Sequence, residues 1–362
     1  MTEGEKGLIR RMIAQINDSV DHEIRIMEVC GTHTHQIARL GIRTLLSPRI
    51  SLVSGPGCPV CVTEPGFIDA LIALLQDRRI TVVTFGDLLR VPGLTGSLEE
   101  QKTLGRRVVP VYSPEEALAL AKNHEDEWIV FAAVGFETTA PIYAALLQMA
   151  KREGIRNFSL LTSLKRMEPA IRFILEHTKA RIDGMLCPGH VAAVTGTAPF
   201  LPITRDFHIP AVIGGFEPVD LVAAINLLCR QITGERPVQL MNPYRRCVSE
   251  TGNTAALGLM EEVFEPSDVS WRGIGIIKGS ALTLGRGYEE FDAAKQLGLE
   301  MDLIPASFPD GCACGKILMG EMAPELCANF GGGCTPEHPI GPCMISSEGA
   351  CAAAYRYGGG EI

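Results

Sequence analysis

A turn bearing two thiols, Gly55-Pro56-Gly57-Cys58-Pro59-Val60-Cys61, stands between the apolar run Ile50-Ser51-Leu52-Val53 and a helical stretch from Val62 to Leu75. The run reads as a buried strand. The stretch reads as a helix capped by Thr63, with Pro65 in the first turn, where a missing N–H is no loss. This strand–turn–helix order constrains the chain more than any other stretch, because it begins a βα unit. It also sets Cys58 and Cys61 at the mouth of a helix, where the macrodipole favours thiolate over thiol. A Cys-x-x-Cys pair in that setting is the arrangement of a redox couple. Half of a zinc site, or two inert loop thiols, are the alternatives.

The same order recurs along the chain. Residues 24–29 read as a strand entering Cys30-Gly31-Thr32-His33-Thr34-His35, followed by a helix over 36–46. Residues 80–85 end in Gly86-Asp87, and residues 129–134 enter Gly135-Phe136-Glu137-Thr138-Thr139. Strand-like 184–186 enters Cys187-Pro188-Gly189-His190, and 210–213 enters Gly214-Gly215 before a helix over 219–232. Alternating strands and helices predict a parallel α/β sheet with its chemistry on the loops leaving the strand carboxyl ends. Two short echoes point to a duplicated unit. Gly31-Thr32-His33-Thr34 matches Gly135-Phe136-Glu137-Thr138, and Pro56-Gly57-Cys58…Val62-Thr63 matches Pro188-Gly189-His190…Val194-Thr195. The expected architecture is two similar parallel-sheet α/β domains, 22–125 and 126–233, facing a central cleft. Residues 234–362 are poorly periodic and rich in glycine, proline and cysteine. They are expected to form a smaller, loop-rich domain organised by a bound metal centre, with the N-terminal helix 1–21 packed on it.

With 362 residues, 46% of them hydrophobic and 21% charged, the chain has material for two or three cores. A net charge of -9 argues against nucleic acid or an anionic membrane as the main partner. No apolar run reaches membrane-span length, and the start lacks a basic segment followed by an apolar one, so the cytoplasm is the expected setting. Twelve cysteines there point away from structural disulfides and towards metal ligation, iron–sulfur chemistry or thiol redox work.

Six of the twelve lie between Cys312 and Cys351. Cys312, Cys327, Cys334 and Cys351 form C-x14-C-x6-C-x16-C, with Cys314 and Cys343 as extras. Four thiolates suit zinc or a [4Fe–4S] cluster; the absence of paired C-x2-C knuckles favours the cluster. Cys30, His33 and His35 place a thiol and two imidazoles within six residues, suiting a soft metal or an activated nucleophile. Glu137 and Thr138 supply a carboxylate and a hydroxyl at a strand end, or simply a helix cap. His190 supplies an imidazole on the equivalent loop, or is a turn residue. Cys229 and Cys247 read as buried thiols. There is no phosphate-binding loop, no strand-following G-x-G-x-x-G and no C-x3-C-x2-C.

Taken in order, CGTHTH at 30–35, GPGCPVC at 55–61, GFETT at 135–139, CPGH at 187–190 and the end containing PIGPCMISSEGAC resemble the hydrogenase maturation factor HypD family. The likeness runs through almost the whole chain. It implies a scaffold for the Fe(CN)2CO unit of [NiFe]-hydrogenases, built as two α/β domains plus a third bearing a [4Fe–4S] cluster. The implied partners are the small chaperone HypC, the cyanide-delivering HypE and an electron donor. On this sequence the resemblance makes Cys30 the iron-attaching thiol, shared with a chaperone cysteine and supported by His33. It makes Cys58 and Cys61 a redox pair, and Cys312, Cys327, Cys334 and Cys351 the cluster ligands. Glu137, Thr138 and His190 would line the cleft. His35 receives no role, while Cys314 and Cys343 could form a second pair. Two other readings stand beside this one: a free-standing [4Fe–4S]-dependent protein disulfide reductase, and a zinc-stabilised interaction protein.

Overall fold

Eleven strands, among the residues that the computed structural model describes (2–299 and 311–358), form two sheets. In chain order they are β1 (Ile24–Glu28), β2 (Ile50–Ser54), β3 (Ile80–Phe85), β4 (Val108–Val111), β5 (Trp128–Gly135) and β6 (Phe158–Lys165). Then come β7 (Gly184–Pro188), β8 (Ala211–Gly214), β9 (Leu240–Met241), β10 (Phe264–Trp271) and β11 (Gly275–Leu284). The first sheet has the order β2-β1-β7-β8-β9 and is parallel throughout. The second has the order β10-β11-β6-β5-β3-β4; it is parallel from β6 to β4, and the β10–β11 hairpin adds an antiparallel edge. The α/β class with parallel-dominated sheets is as the alternation of runs predicts. Central strands such as β5 are buried at almost every position, which explains why they read as continuous apolar runs rather than alternating ones.

The division of strands between sheets differs from the expected one. The boundary expected at 125/126 falls within the second sheet, which takes β3 and β4 from one side of it and β5 and β6 from the other. The chain gives β1 and β2 to the first sheet, β3 to β6 to the second, then returns β7 and β8 to the first. Counted around eight strands, shifting 2-1-7-8 by four gives 6-5-3-4, the order found in the second sheet. Each half of the chain therefore spans both sheets, and the halves are topologically equivalent. The Gly31 and Gly135 echo falls at equivalent places, after β1 and after β5. The other echo does not, since the counterpart of β2 is β6, not β7.

The ends of the chain also depart from expectation. The helix Glu3–Ser19 buries Met12, Ile13 and Ile16 in an apolar core shared with Leu221, Ile225 and Leu228 of the helix Pro218–Ile232, not on the cysteine-rich end. Residues 234–299 are not a separate loop-rich unit either: β9 ends the first sheet, and β10 and β11 extend the second. Loop-rich chain is confined to 311–358, where the described helices are Cys314–Leu318, Pro342–Ile345 and Ala350–Tyr357. Among the described residues no helix is long and apolar enough to cross a membrane.

Candidate functional site

The carboxyl ends of the two sheets face each other across a cavity of about 300 Å³. Thr32, Gly57 and His190 line it from the first sheet, Asp87 and Thr138 from the second, and Glu348 from the C-terminal segment. Two of its loops meet backbone to backbone. The Gly31 N–H donates to the Gly57 carbonyl at 3.1 Å, and a Cβ on Gly57 would lie 2.1 Å from the Cys30 nitrogen. Only glycine allows that approach.

The Cys30 motif is not an extended loop: the helix Gly31–Arg39 starts directly after Cys30, which caps it. The Cys30 Sγ accepts the His33 backbone N–H at 3.5 Å and lies 3.7 Å from His190 Nδ1. Burial pushes the Cys30 thiol well up, and the nearby carboxylates of Glu28 and Glu348 add to the effect. A cation arriving at that sulfur would displace the proton. Beneath it, Glu28 accepts the Cys30 N–H at 3.1 Å and a hydroxyl proton bond from Thr34. Burial raises Glu28 to about 7, against opposing bonds from Thr34 and Ser54.

Both imidazoles near Cys30 are neutral at neutral pH. Burial lowers His33 to about 3, helped by His190, and lowers His190 to about 4. His33 Nε2 lies 3.1 Å from the Gly215 carbonyl, so it carries the proton and donates it there. Its Nδ1 is buried without a partner among the described residues. Helical geometry turns His35 away from this centre: its Nδ1 lies 3.0 Å from the Ser347 carbonyl, and its ring meets Tyr357 edge-on.

Cys58 and Cys61 are joined as a disulfide, with both sulfurs buried. The helix beyond starts at Pro65, with Glu64 at the N-cap position but making no side-chain cap; the Thr63 hydroxyl donates to the Pro59 carbonyl at 2.9 Å. The thiol turn thus stands a full turn ahead of the helix, and the macrodipole contributes less there than the sequence implies. Cys61 Sγ faces the Pro342 carbonyl at 3.9 Å. The disulfide therefore lies between Cys30, reached through Gly57, and the cysteine-rich segment.

Of the cleft residues named from sequence, Thr138 and His190 line the cavity and Glu137 does not. Glu137 Oε1 accepts the Met167 N–H at 2.8 Å at the start of the helix Met167–His177, the capping role. Burial raises it to about 7. Cys229 and Cys187 are buried as core thiols, whereas Cys247, expected to be buried, is exposed.

Cys312, Cys327, Cys334 and Cys351 line one pocket, together with Cys314. Its other walls are largely apolar, with Ile317, Phe330, Ile340 and Met344 among them. Gly341 completes the cradle: a Cβ there would lie 2.8 and 2.9 Å from the sulfurs of Cys314 and Cys312. Cys343 is buried outside this lining. Among the described residues no three His, Cys, Asp or Glu side chains converge as a single metal ion would require. Thiols spread around an apolar pocket suit a multi-iron cluster, which offers each sulfur its own iron.

Sequence reasoning missed two carboxylates. Glu28 closes an apolar strand and looks like a strand-end charge, but it is buried under Cys30. Glu348 accepts the Thr32 hydroxyl at 2.7 Å and ties the C-terminal segment to the Cys30 helix.

Two facing α/β sheets, with a buried thiol on one strand end, a disulfide beside it and a cysteine-lined pocket behind, define an α/β protein with a thiol-rich cleft. Residues 7–358 match the family model HypD, described as "Hydrogenase formation hypA family". The chain is 42% identical over 361 residues to the hydrogenase maturation factor HypD of Rhodobacter capsulatus, covering 98% of this chain and 95% of that one. It is 42% identical over 341 residues to HypD of Cupriavidus necator, covering 92% and 89%. To HypD of Escherichia coli it is 39% identical over 353 residues, covering 96% and 93%. The chain belongs to the HypD family of hydrogenase maturation factors.

Proposed function

We propose that this protein is the scaffold on which the Fe(CN)2CO unit of [NiFe]-hydrogenase is assembled, with the iron fragment as cargo on Cys30. The observation that carries this reading is the contact chain of three sulfur sites. Cys30 abuts Gly57 of the Cys58–Cys61 turn, and Cys61 abuts Pro342 of the segment that forms the cysteine pocket. Strong-field cyanide and carbonyl ligands favour low-spin iron(II), and one soft thiolate anchors such a fragment without a full protein cage. His190 faces the Cys30 sulfur and is neutral, so it can take the thiol proton as iron binds. Glu28, protonated to about pH 7, keeps a second negative charge from the site.

Cys312, Cys327, Cys334 and Cys351 are the residues that would hold a [4Fe–4S] cluster, which supplies one-electron transfer when bound. Cys58 and Cys61 stand between pocket and cleft as a dithiol/disulfide couple. A small chaperone (HypC) sharing the iron through its own cysteine, and a cyanide donor (HypE), are the partners this role requires. The cytoplasm is the setting that suits a reducible pair of this kind. A free-standing disulfide reductase would need a sulfur that a protein substrate can reach; Cys58 and Cys61 are only 3% and 1% exposed.

Substituting Cys58 or Cys61 with alanine should abolish hydrogenase maturation while leaving the iron–sulfur absorption of the purified protein intact. Loss of that absorption together with maturation would contradict the division of roles between turn and pocket.

A further inference from the structure

Around Val62 and Glu64, just beyond the disulfide in the chain, lies a group of buried charges that none of these roles uses. Lys165 ends β6 and is 1% exposed; Arg272 follows β10 and is 2% exposed. Among the described residues Lys165 Nζ has one hydrogen bond, at 3.4 Å to the Ser270 carbonyl, and lies 5.5 Å from the Trp271 ring centroid. Glu64, three residues beyond Cys61, accepts the Ser270 hydroxyl at 2.6 Å through Oε1, while its buried Oε2 has no partner among the described residues. The Arg272 backbone N–H donates to the carbonyl of Val62, the neighbour of Cys61, at 3.0 Å. Its Nη1 donates to the Pro92 carbonyl at 3.0 Å, and its Nε is buried without a partner among the described residues. Lys165 and Arg272 both interact with Glu64, and Arg272 also with Cys312, Cys314 and Cys343.

Arg272 has the cysteine sulfurs as well as Glu64 for partners, but among the described residues Lys165 has Glu64 alone, so a positive surplus is left at Lys165, with Glu64 Oε2 and Arg272 Nε unsatisfied. Such a surplus is costly in the resting protein unless negative charge arrives there at some stage. Reduction of the neighbouring disulfide brings it. Two electrons break the Cys58–Cys61 S–S bond and leave a lone pair and a negative charge on each sulfur, until protons neutralise them. We infer that Glu64, Lys165 and Arg272 form a buried charge station that stabilises the reduced Cys58/Cys61 pair, and so sets how readily it accepts electrons. The inference rests on the reading of Cys58 and Cys61 as a redox couple. Burial lowers Lys165 to about 8, which still leaves the ammonium charged at neutral pH.

The test is an anaerobic redox titration of the full chain at pH 7 in dithiothreitol buffers. This dithiol gives up two electrons and two protons and closes to its own cyclic disulfide. The state of Cys58 and Cys61 is read by alkylation and mass spectrometry. Lys165→Met and Arg272→Met should each make the disulfide about tenfold or more harder to reduce, roughly 30 mV for a two-electron couple. Lys165→Arg should restore the wild-type position. Glu64→Gln should shift the equilibrium the other way, towards easier reduction, an opposite sign that general loosening of the fold would not produce. Equal positions for all variants, or shifts of one sign for the lysine and glutamate variants, would overturn the inference while leaving the redox couple standing. A wild-type pair that does not cycle at all would overturn both.

Discussion

The cleft and the cysteine pocket lie side by side but are held together by different means. Around Cys30 the walls are strand ends: β1, β2 and β7 on one side, β3 and β5 on the other, with Gly57 packed on the Cys30 backbone. That geometry follows from two fully formed sheets that share an apolar core on their facing sides and each have a further core on the other side, so it needs no bound group to exist. The pocket walls come from 311–358, where the described α-helices have five, four and eight residues and the inward side chains are thiols and mostly apolar groups. Short helices of this kind are not stable by propensity, and sulfur ligation would supply what backbone hydrogen bonding does not. On the proposed function, one region would be a preformed cradle for cargo and the other would depend on what it binds.

The largest effect expected from this difference comes from Cys334→Ser or Cys351→Ser. Either should abolish iron–sulfur absorption and the hydrogen-exchange protection of 311–358, while both sheets keep theirs. Protection lost equally in the sheets would break the distinction. Gly57→Ala attacks the other region: its methyl would strike the Cys30 backbone and should cost about 3 kcal/mol in thermal or denaturant unfolding. It should leave the cluster absorption unchanged.

The rim of the cleft should carry a pH signature. Glu137 holds its proton in the folded chain up to about 7, against 4.5 for an ordinary glutamate. At this carboxyl the folded state thus binds more protons than the unfolded state between those values, and its contribution to stability falls as pH rises through that window. The loss amounts to on the order of 3 kcal/mol for this group, complete above about pH 7. Glu137→Gln should remove that slope in unfolding measured from pH 4.5 to 8; a wild-type stability that instead rises with pH relative to this variant would contradict the assignment. The smallest effect is expected at the seam. Thr32→Val deletes the hydroxyl bond to Glu348 and should cost about 1 kcal/mol. Its exchange signature should appear first in 342–357.

The contrast also explains what the sequence revealed. The α/β class was legible because a parallel strand buried on both faces must be apolar along its length. The Gly31 and Gly135 echo marked two positions that the topology makes equivalent. The Pro56-Gly57-Cys58 echo did not, since three residues of turn chemistry recur without duplication. Which sheet a strand joins was not legible, because nothing local in β1 records that it pairs with β7, or in β3 that it pairs with β5. The four spaced cysteines do meet in one pocket, yet Cys314 lines it too, and spacing could not tell them apart. Glu28, Lys165 and Arg272 escaped notice because a single charge beside an apolar run usually marks a solvated edge. Only the fold shows them to be buried.

The most direct test is metal analysis and infrared spectroscopy of anaerobically purified protein co-expressed with its maturation partners, as wild type and as Cys30→Ala. The wild type should carry about four irons of cluster plus an additional iron with cyanide and carbonyl stretches. Cys30→Ala should lose those stretches and keep the cluster. Stretches that survive in Cys30→Ala, or a colourless protein containing zinc, would contradict the assignment of Cys30 as the cargo site beside an iron–sulfur pocket.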